Sequence, residues 1–169
     1  MADVDSYGCP TTHPISTDAQ QRPAKPLEVT SLTDVSSVSA CKFHLGEDSS
    51  ATNPRLISSL RLDGSAAEQA IREIAQAPLG GGPDHPGRCL PSVSYGQDVI
   101  VLFVRSAGGR SQVVLRYSGC DHNGFDDGIA VRALTAKAVA PFIARSNTTF
   151  AFDGGPEKVA ILWPSAASR

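Results

Sequence analysis

The sequence of 169 residues lacks the charge imbalance and the long apolar runs that mark several protein classes. Lysine and arginine number 15, aspartate and glutamate number 17, and the formal net charge is -2. That balance creates no general attraction to a phosphate backbone or an anionic membrane, which argues against a nucleic-acid-binding protein. The longest strongly apolar run is Val99–Val104. Because a membrane-spanning helix needs roughly 18 apolar residues, we predict no transmembrane segment.

Complete catalytic and cofactor motifs are also missing. We find no G-x-S-x-G nucleophile elbow in the sequence. The run Gly80–Gly82 follows a predicted helix and lacks the G-K-[ST] of a phosphate-binding loop. We therefore favour a binding or structural module over an enzyme, and we predict no cofactor. An unidentified protein or a component of the cell envelope is the expected partner.

The chain does not open on a basic segment followed by an apolar one, so Met1 is not predicted to begin a secretory signal. Its four cysteines nevertheless form an even set in a chain of modest length, which is typical of two disulfides in an oxidising compartment. We resolve the conflict by expecting a mature protein whose signal peptide has been removed. The predicted location is secreted or associated with the cell envelope.

The cysteines allow three pairings. Cys89 precedes a predicted hairpin and Cys120 follows its far end, so the strand pattern brings the two together. This favours a Cys89–Cys120 disulfide and leaves Cys9 to join the N-terminal residues to Cys41.

Zinc is the alternative use of two of these cysteines. Cys9-x3-His13 and Cys41-x2-His44 offer two thiolates and two imidazoles, a set that tetrahedral Zn²⁺ accepts. Neither spacing matches a standard zinc finger, so we favour the disulfides.

Two β-prone runs and an amphipathic helix open the ordered part of the chain. The runs 35–45 and 55–62 predict two antiparallel strands. Ser65 and Glu68 form an S-x-x-E capping box, which predicts a helix start at Ser65, and Pro78 predicts its end. Its apolar residues recur at three- and four-residue spacing and share one face: Ala67, Ala70, Ile71, Ile74 and Ala75.

A hairpin and a second helix follow. The runs 98–106 and 111–118 flank a Gly-Gly turn and predict a β-hairpin. Thr135 is predicted to cap a second helix, in which Pro141 predicts a kink or a late start. Because amphipathic helices must bury their apolar faces, the order β-β-α-β-β-α predicts an α+β fold. We expect an antiparallel sheet of four or more strands with two helices on one face.

Three segments describe the predicted organisation of the chain. Residues 1–34 have little apolar periodicity and scattered prolines, which predicts an extended tail. Residues 35–146 form the α+β domain. Residues 147–169 form a C-terminal appendage, in which 148–152 and 159–163 predict an edge hairpin or a disordered end.

The densest polar cluster follows the predicted hairpin, between Cys120 and Gly128, and supplies the candidate polar site: Asp121, His122, Asn123, Asp126 and Asp127. Its oxygen-bearing side chains suit Ca²⁺, although Phe125 interrupts the spacing of an EF-hand. His122 oriented by an aspartate could act as a general base, which makes a metal-assisted or His/Asp hydrolase the alternative function. A structural role is favoured over both, since Asn and Asp stabilise tight turns.

Two further expectations concern the surface. Residues 79–88 are rich in Gly and Pro and predict an exposed loop, which a secreted enzyme inhibitor would use for recognition. Strand alternation places Arg105 and Arg116 on one face, with Val104 and Tyr117 opposite. We expect the arginine face to be solvated.

Three stretches carry a resemblance to a known group of proteins: Gly80–Pro91, Ser94–Asp98 and Arg116–Gly128. With the Ala, Gly and Arg bias of the chain, they resemble uncharacterised exported or lipoprotein-like domains of high-GC actinobacteria. The resemblance spans roughly 35–144. It implies export, paired cysteines and the cell envelope, and it transfers no functional residue.

Overall fold

The computed structural model describes residues 3–45, 56–84, 87, 89–91 and 94–143. They form a six-stranded antiparallel sheet of order β2-β1-β3-β4-β5-β6 with two α-helices. The strands are β1 Ser37–His44, β2 Leu56–Asp63, β3 Asp98–Ser106, β4 Gly109–Arg116, β5 Gly124–Asp126 and β6 Val131–Arg132. The helices are α1 Gly64–Gln76 and α2 Ala136–Ile143. The predicted α+β fold with an antiparallel sheet of at least four strands is confirmed.

The hairpin of β3 and β4 forms the centre of the sheet with β1. Ser106 pairs with Gly109, so the turn is tighter than predicted and consists of Ala107 and Gly108. Gly109 has a φ of 106°, in the left-handed region that glycine adopts without strain. The β-branched runs of β3 and β4 are buried along most of their length. Each of these strands lies between two other strands, and other parts of the chain cover both faces of the sheet.

Both helices pack on one face of the sheet, which we call the helix face. Ala70, Ile71 and Ile74 of α1 and Val139 and Phe142 of α2 are buried in a single apolar cluster. The strands contribute to it side chains from alternate positions, such as Val38, Leu102 and Leu115. The apolar spacing of α1 therefore identified the buried side of that helix correctly.

The two helix starts differ from each other. The capping box predicted Ser65 as the residue that caps the start of α1, but the helix already begins at Gly64, and the residue before it, Asp63, caps no backbone N–H with its side chain. Thr135 does cap α2, because its Oγ1 accepts a hydrogen bond of 3.2 Å from the N–H of Ala138. Pro141 lies inside α2 rather than at its start.

The opposite side of the sheet, which we call the second face, is covered by the earlier part of the segment 3–34, whereas Val29 and Leu32 pack into the apolar cluster of the helix face. This segment, predicted as an extended tail, has only two short 3-10 helices, Pro14–Ser16 and Val29–Ser31, within its described residues. Cys9 and Ile15 are fully buried in a second apolar cluster with Phe43, Val99 and Val101. The segment is thus irregular in conformation but packed against the sheet. The predicted appendage at 147–169 lies outside the described residues.

Two disulfides are present, in the pairing that the strand pattern favoured. Cys9 and Cys41 join the N-terminal segment to β1, with 5.6 Å between their Cα atoms. Cys89 and Cys120 are 5.5 Å apart by the same measure. The zinc alternative is wrong, because the sulfurs of Cys9 and Cys41 are bonded to each other.

Part of the predicted exposed loop at 79–88 lies along the sheet instead. The N–H of Gly80 donates to the carbonyl of Val131, and the N–H of Gly82 donates to that of Asn123, both at 2.8 Å. Gly82 is buried, and its carbonyl accepts from the N–H of Leu134. Residues 79–84 therefore extend the β6 edge of the sheet. No helix in the described part of the chain is long and apolar enough to cross a membrane.

Candidate functional site

The polar cluster at 120–128 is not a simple loop, since β5 lies within it and pairs with β4. Val114 lies opposite Asp126, and Arg116 lies opposite Gly124. Asp126 therefore projects on the same face as Arg116, which is the second face. The five predicted site residues separate into a structural set and a set that lines a cavity, with Asn123 in both.

Asp127 belongs to the structural set. It is 1% exposed. Its Oδ2 accepts from the N–H of Val29 at 2.8 Å, and its Oδ1 accepts from those of Ile129 and Ala130 at 2.9 and 2.8 Å. This aspartate closes its own turn and also attaches the N-terminal segment to the sheet, which agrees with the structural interpretation.

Asn123 also stabilises the local backbone. Its Oδ1 accepts from the N–H of Gly119 at 3.2 Å, and its Nδ2 donates to the carbonyls of Gly119 and Pro83. Its own N–H donates to Asp84 Oδ1 at 3.1 Å. These bonds join the cluster to the segment 79–84, so the backbone on this side of the adjoining cavity has a fixed position.

That cavity has a volume of about 360 Å³, and we call it the Arg116 pocket. Asp121, His122, Asn123 and Asp126 of the predicted site line it. The residues that sequence analysis did not assign to this site come from five other segments: Gln20, Arg22, Gly81, Asp84, Tyr95, Arg116 and Val131.

Arg116, the last residue of β4, is the buried charge of the pocket and is 5% exposed. Its Nη2 donates to the carbonyl of Gln21 at 3.2 Å. Its Nη1 is buried and has no hydrogen-bond partner among the described residues. Burial lowers the pKa of this guanidinium, against the opposing influence of Tyr95, Asp126 and Asp18.

The expectation of a solvated arginine face is half right. Arg105 and Arg116 do share a face, and Arg105 is exposed while Tyr117 is buried on the helix face. Arg116 is not solvated, because the N-terminal segment and Tyr95 cover the end of β4. The alternation of side chains along a strand predicts the face of a residue but not which other segments cover that face.

Two stacked rings border the guanidinium. The ring of Tyr95 lies over Arg116, with its centroid 4.9 Å from Cζ, a cation–π arrangement. The imidazole of His122 stacks on Tyr95 at 4.2 Å between centroids and 3° between planes. His122 has a φ of 61°, and Asp121 Oδ1 accepts from its N–H at 2.8 Å. The side chains of Asp121 and His122 are each 47% exposed.

Arg22 and Asp126 form the ion pair that closes another side. The Nε and Nη2 of Arg22 contact the two carboxylate oxygens of Asp126 at 2.8 and 2.7 Å, a bidentate geometry. The hydrogen bond to Asp126 raises the pKa of Arg22. Asp126 also accepts from the N–H of Gly128. This pair holds the N-terminal segment beside β5.

Two of the carboxylates that would bind Ca²⁺ already accept hydrogen bonds from other groups of the protein. Asp126 and Asp127 direct their carboxylates at Arg22 and at backbone N–H groups. Among the described residues, no group of three or more His, Cys, Asp or Glu side chains is placed to hold a metal ion. Calcium binding stays a prediction, which a calorimetric titration at millimolar Ca²⁺ tests.

For the hydrolase hypothesis, the pocket supplies a candidate general base, His122, but no side-chain nucleophile among its described lining residues. His122 Nε2 lies 3.7 Å from Asp121 Oδ2, so the aspartate is close enough to influence the imidazole. No Ser, Thr or Cys is among the described residues that line the pocket. The nearby hydroxyls of Ser94 and Ser118 donate to the carbonyls of Pro91 and Asp98.

No protein-family model matches the chain, and neither a curated protein nor a solved structure matches it. The pocket's own chemistry therefore carries the functional conclusion.

Proposed function

We propose that the protein is a binding module that takes a small polar ligand into the Arg116 pocket. The observation that carries the proposal is the buried guanidinium of Arg116, whose Nη1 has no hydrogen-bond partner in the part of the chain that the structure describes. A buried charge without a charged partner lowers stability by several kcal/mol when it is left uncompensated. A ligand that supplies the missing acceptor at the wall of the cavity would offset this loss, which is a physical reason to retain such a group.

The construction of the pocket supports binding over a purely structural role. Its walls come from segments far apart in sequence, and they are held by the Cys89–Cys120 disulfide, by the Arg22–Asp126 pair and by Asn123. A backbone framework that is fixed before binding lowers the entropic cost of association. The cavity of about 360 Å³ suits a molecule of a few to a dozen heavy atoms.

The proposed location is extracytoplasmic, in the secreted fraction or at the cell envelope. Two disulfides in a chain of this size support an oxidising compartment, as does the resemblance to exported actinobacterial domains. Intact-mass analysis with a thiol reagent tests the proposal on protein from its native source. We expect no free thiol, and four free thiols would overturn the location.

Ligand binding is tested by backbone-amide NMR on the full chain with a library of polar metabolites and cell-envelope fragments. We expect at least one member to shift the signals of Tyr95, His122 and Asp121 while those of α1 stay in place. The Arg116→Gln variant should lose this response. Arg105→Gln, which removes an exposed arginine from the same face, is the matched control and should keep it. A library without a single pocket response would contradict the proposal.

A hydrolase that uses a water molecule is the second candidate, and the placement of Asp121 beside His122 favours it. The test is turnover of generic ester, peptide and phosphate substrates by the wild type and by His122→Ala. Turnover that His122→Ala abolishes would establish the hydrolase. An inactive wild type leaves the binding module as the better description.

A further inference from the structure

The charges around the Arg116 pocket are of both signs, and only some of them are paired with one another. Arg22 and Asp126 neutralise each other through two short contacts. Arg116 forms no salt bridge within the described part of the chain. Asp84 and Asp121 also line the cavity, and neither has a lysine or arginine partner among those residues. Within the described ranges, the pocket thus offers one guanidinium without a carboxylate partner and two carboxylates without a lysine or arginine partner, of which Asp121 has only the imidazole of His122 nearby, at 3.7 Å.

We infer that the ligand is a small zwitterion, an amino acid or a short peptide. Its carboxylate binds the guanidinium of Arg116, and its ammonium group binds the carboxylates of Asp84 and Asp121. This inference rests on the proposed function, because it names the chemical class of the ligand of that same pocket.

The charge balance favours a carboxylate over a phosphate group. A planar guanidinium matches a planar carboxylate, and one unpaired cation balances one negative charge. A phosphate of nearly two negative charges would meet one arginine and be repelled by Asp84 and Asp121 at short range. A simple monoanion would satisfy Arg116 but leave both aspartates without a cation.

Binding must also displace a cover. The Nη1 atom of Arg116 is buried. The Tyr95 ring lies over the guanidinium, and His122 stacks on that ring. A carboxylate therefore reaches Nη1 when the two-ring stack moves aside. Movement of the rings changes their mutual ring-current shifts, which gives the binding event a signature in the aromatic NMR spectrum.

The test titrates the full chain with glycine, acetate, methylammonium and inorganic phosphate at constant ionic strength, following the aromatic signals of Tyr95 and His122. We expect glycine to bind about two- to fivefold more tightly than acetate, since a half-exposed ion pair contributes up to about 1 kcal/mol. Phosphate should bind more weakly than acetate, and methylammonium should leave the rings unmoved.

Two variants separate the two contacts. Arg116→Gln should weaken glycine and acetate by about tenfold or more, because a hydrogen bond to a buried charged group is lost. Asp121→Asn, at a half-exposed position, should lower glycine affinity toward that of acetate and leave acetate unchanged. Thermal unfolding of each variant verifies that it is folded, and Arg105→Gln should match the wild type throughout.

The outcomes distinguish this inference from the proposed function. Phosphate binding as tightly as glycine, or glycine binding that Arg116→Gln does not weaken, overturns the zwitterion. If a library member shifts the pocket signals but glycine and acetate do not, the zwitterion fails and the binding module stands. If no library member and no probe shifts them, both fail.

Discussion

The helix face and the second face of the sheet are covered in different ways. Regular helices cover the helix face, and their apolar side chains form one continuous cluster with β1 to β4. An irregular segment covers the second face, where the apolar cluster is smaller and contains the Cys9–Cys41 disulfide. Side-chain bonds supplement it there, such as that from Ser39 Oγ to the carbonyl of Tyr7 at 2.6 Å.

The difference explains where a binding site can form. On the helix face, two helices with apolar stripes fill the space above the sheet, and the charged side chain buried there, Arg132 of the edge strand β6, donates through Nη1 to the carbonyl of Ala77 at 2.9 Å. A segment without regular structure covers its face incompletely and brings polar backbone groups with it. At the end of β4 this incomplete cover leaves the Arg116 pocket, so stability resides mainly on one face and the proposed function on the other.

The largest effect should come from the helix face. Leu102→Ala removes a fully buried side chain from the central strand β3, which should lower the free energy of unfolding by about 3–5 kcal/mol. Urea denaturation measures the loss. Ile57→Ala, at a half-exposed position on β2, is the control and should change it by less than about 0.5 kcal/mol. Equal losses in the two variants would refute the proposed distribution of stability.

Removing the disulfide of the second face should have the next largest effect. Replacing Cys9 and Cys41 by serine releases a cross-link with a sequence separation of 32, which should lower stability by roughly 3–4 kcal/mol. The Cys89 and Cys120 pair has a separation of 31 and serves as the matched control. Removing this second disulfide should lower stability by a similar amount through chain entropy. Of the two replacements, only this one should loosen the pocket and weaken ligand binding. A stability unchanged by the first replacement would show that the N-terminal cover does not need its cross-link.

The two sets within the polar cluster should differ as well. Asp127→Ala leaves three backbone N–H groups without their charged acceptor, which should lower the free energy of unfolding by about 2–3 kcal/mol. Asp121→Ala, six residues earlier and half exposed, should lower it by less than about 1 kcal/mol. Thermal and urea unfolding of both variants provides the comparison. A larger loss of stability in Asp121→Ala than in Asp127→Ala would contradict the assignment of Asp127 to structure and of Asp121 to ligand binding.

A smaller effect should appear on acidification of the second face. Burial lowers the pKa of His13, whose ring contacts Phe43 and Phe103 and whose Nε2 lies 3.1 Å from Gln112 Oε1. Below the ordinary pKa of about 6.5, the unfolded chain binds a proton that the folded chain resists. Stability should therefore fall as the pH falls from about 6.5 toward the lowered value.

Melting curves between pH 7.5 and 5.5 measure this slope. The variant His13→Asn keeps a side-chain acceptor for the N–H of Ile15 and should flatten the curve in this range. A slope that persists unchanged in the variant would assign the pH dependence to another group.

The sequence predicted the helix face better than the second face for a physical reason. The β-branched runs of β3 and β4 and the apolar spacing of α1 are local patterns, and local patterns indicate strands and helix faces directly. The position of the N-terminal segment depends on contacts between distant residues. Arg22 and Asp126 are 104 positions apart, and no periodicity in either region predicts that they meet.

The candidate site was predicted only in part for the same reason. The polar cluster was identified by composition, but composition cannot separate the adjacent Asp126 and Asp127, which point to an arginine and to backbone N–H groups respectively. Arg116 was assigned to the correct face and to the wrong environment. Its burial follows from the cover supplied by Gln21 and Tyr95.

The free energy of unfolding of Arg116→Met tests the central claim most directly. Methionine keeps an apolar stem and removes the buried charge, while the carbonyl of Gln21, which is partly exposed, can bind water instead. If Arg116 is retained for a ligand at the expense of stability, the free energy of unfolding of the variant should lie no more than about 1 kcal/mol below that of the wild type, or above it. A loss of more than about 2 kcal/mol would show that Arg116 stabilises the fold and would contradict its assignment to binding.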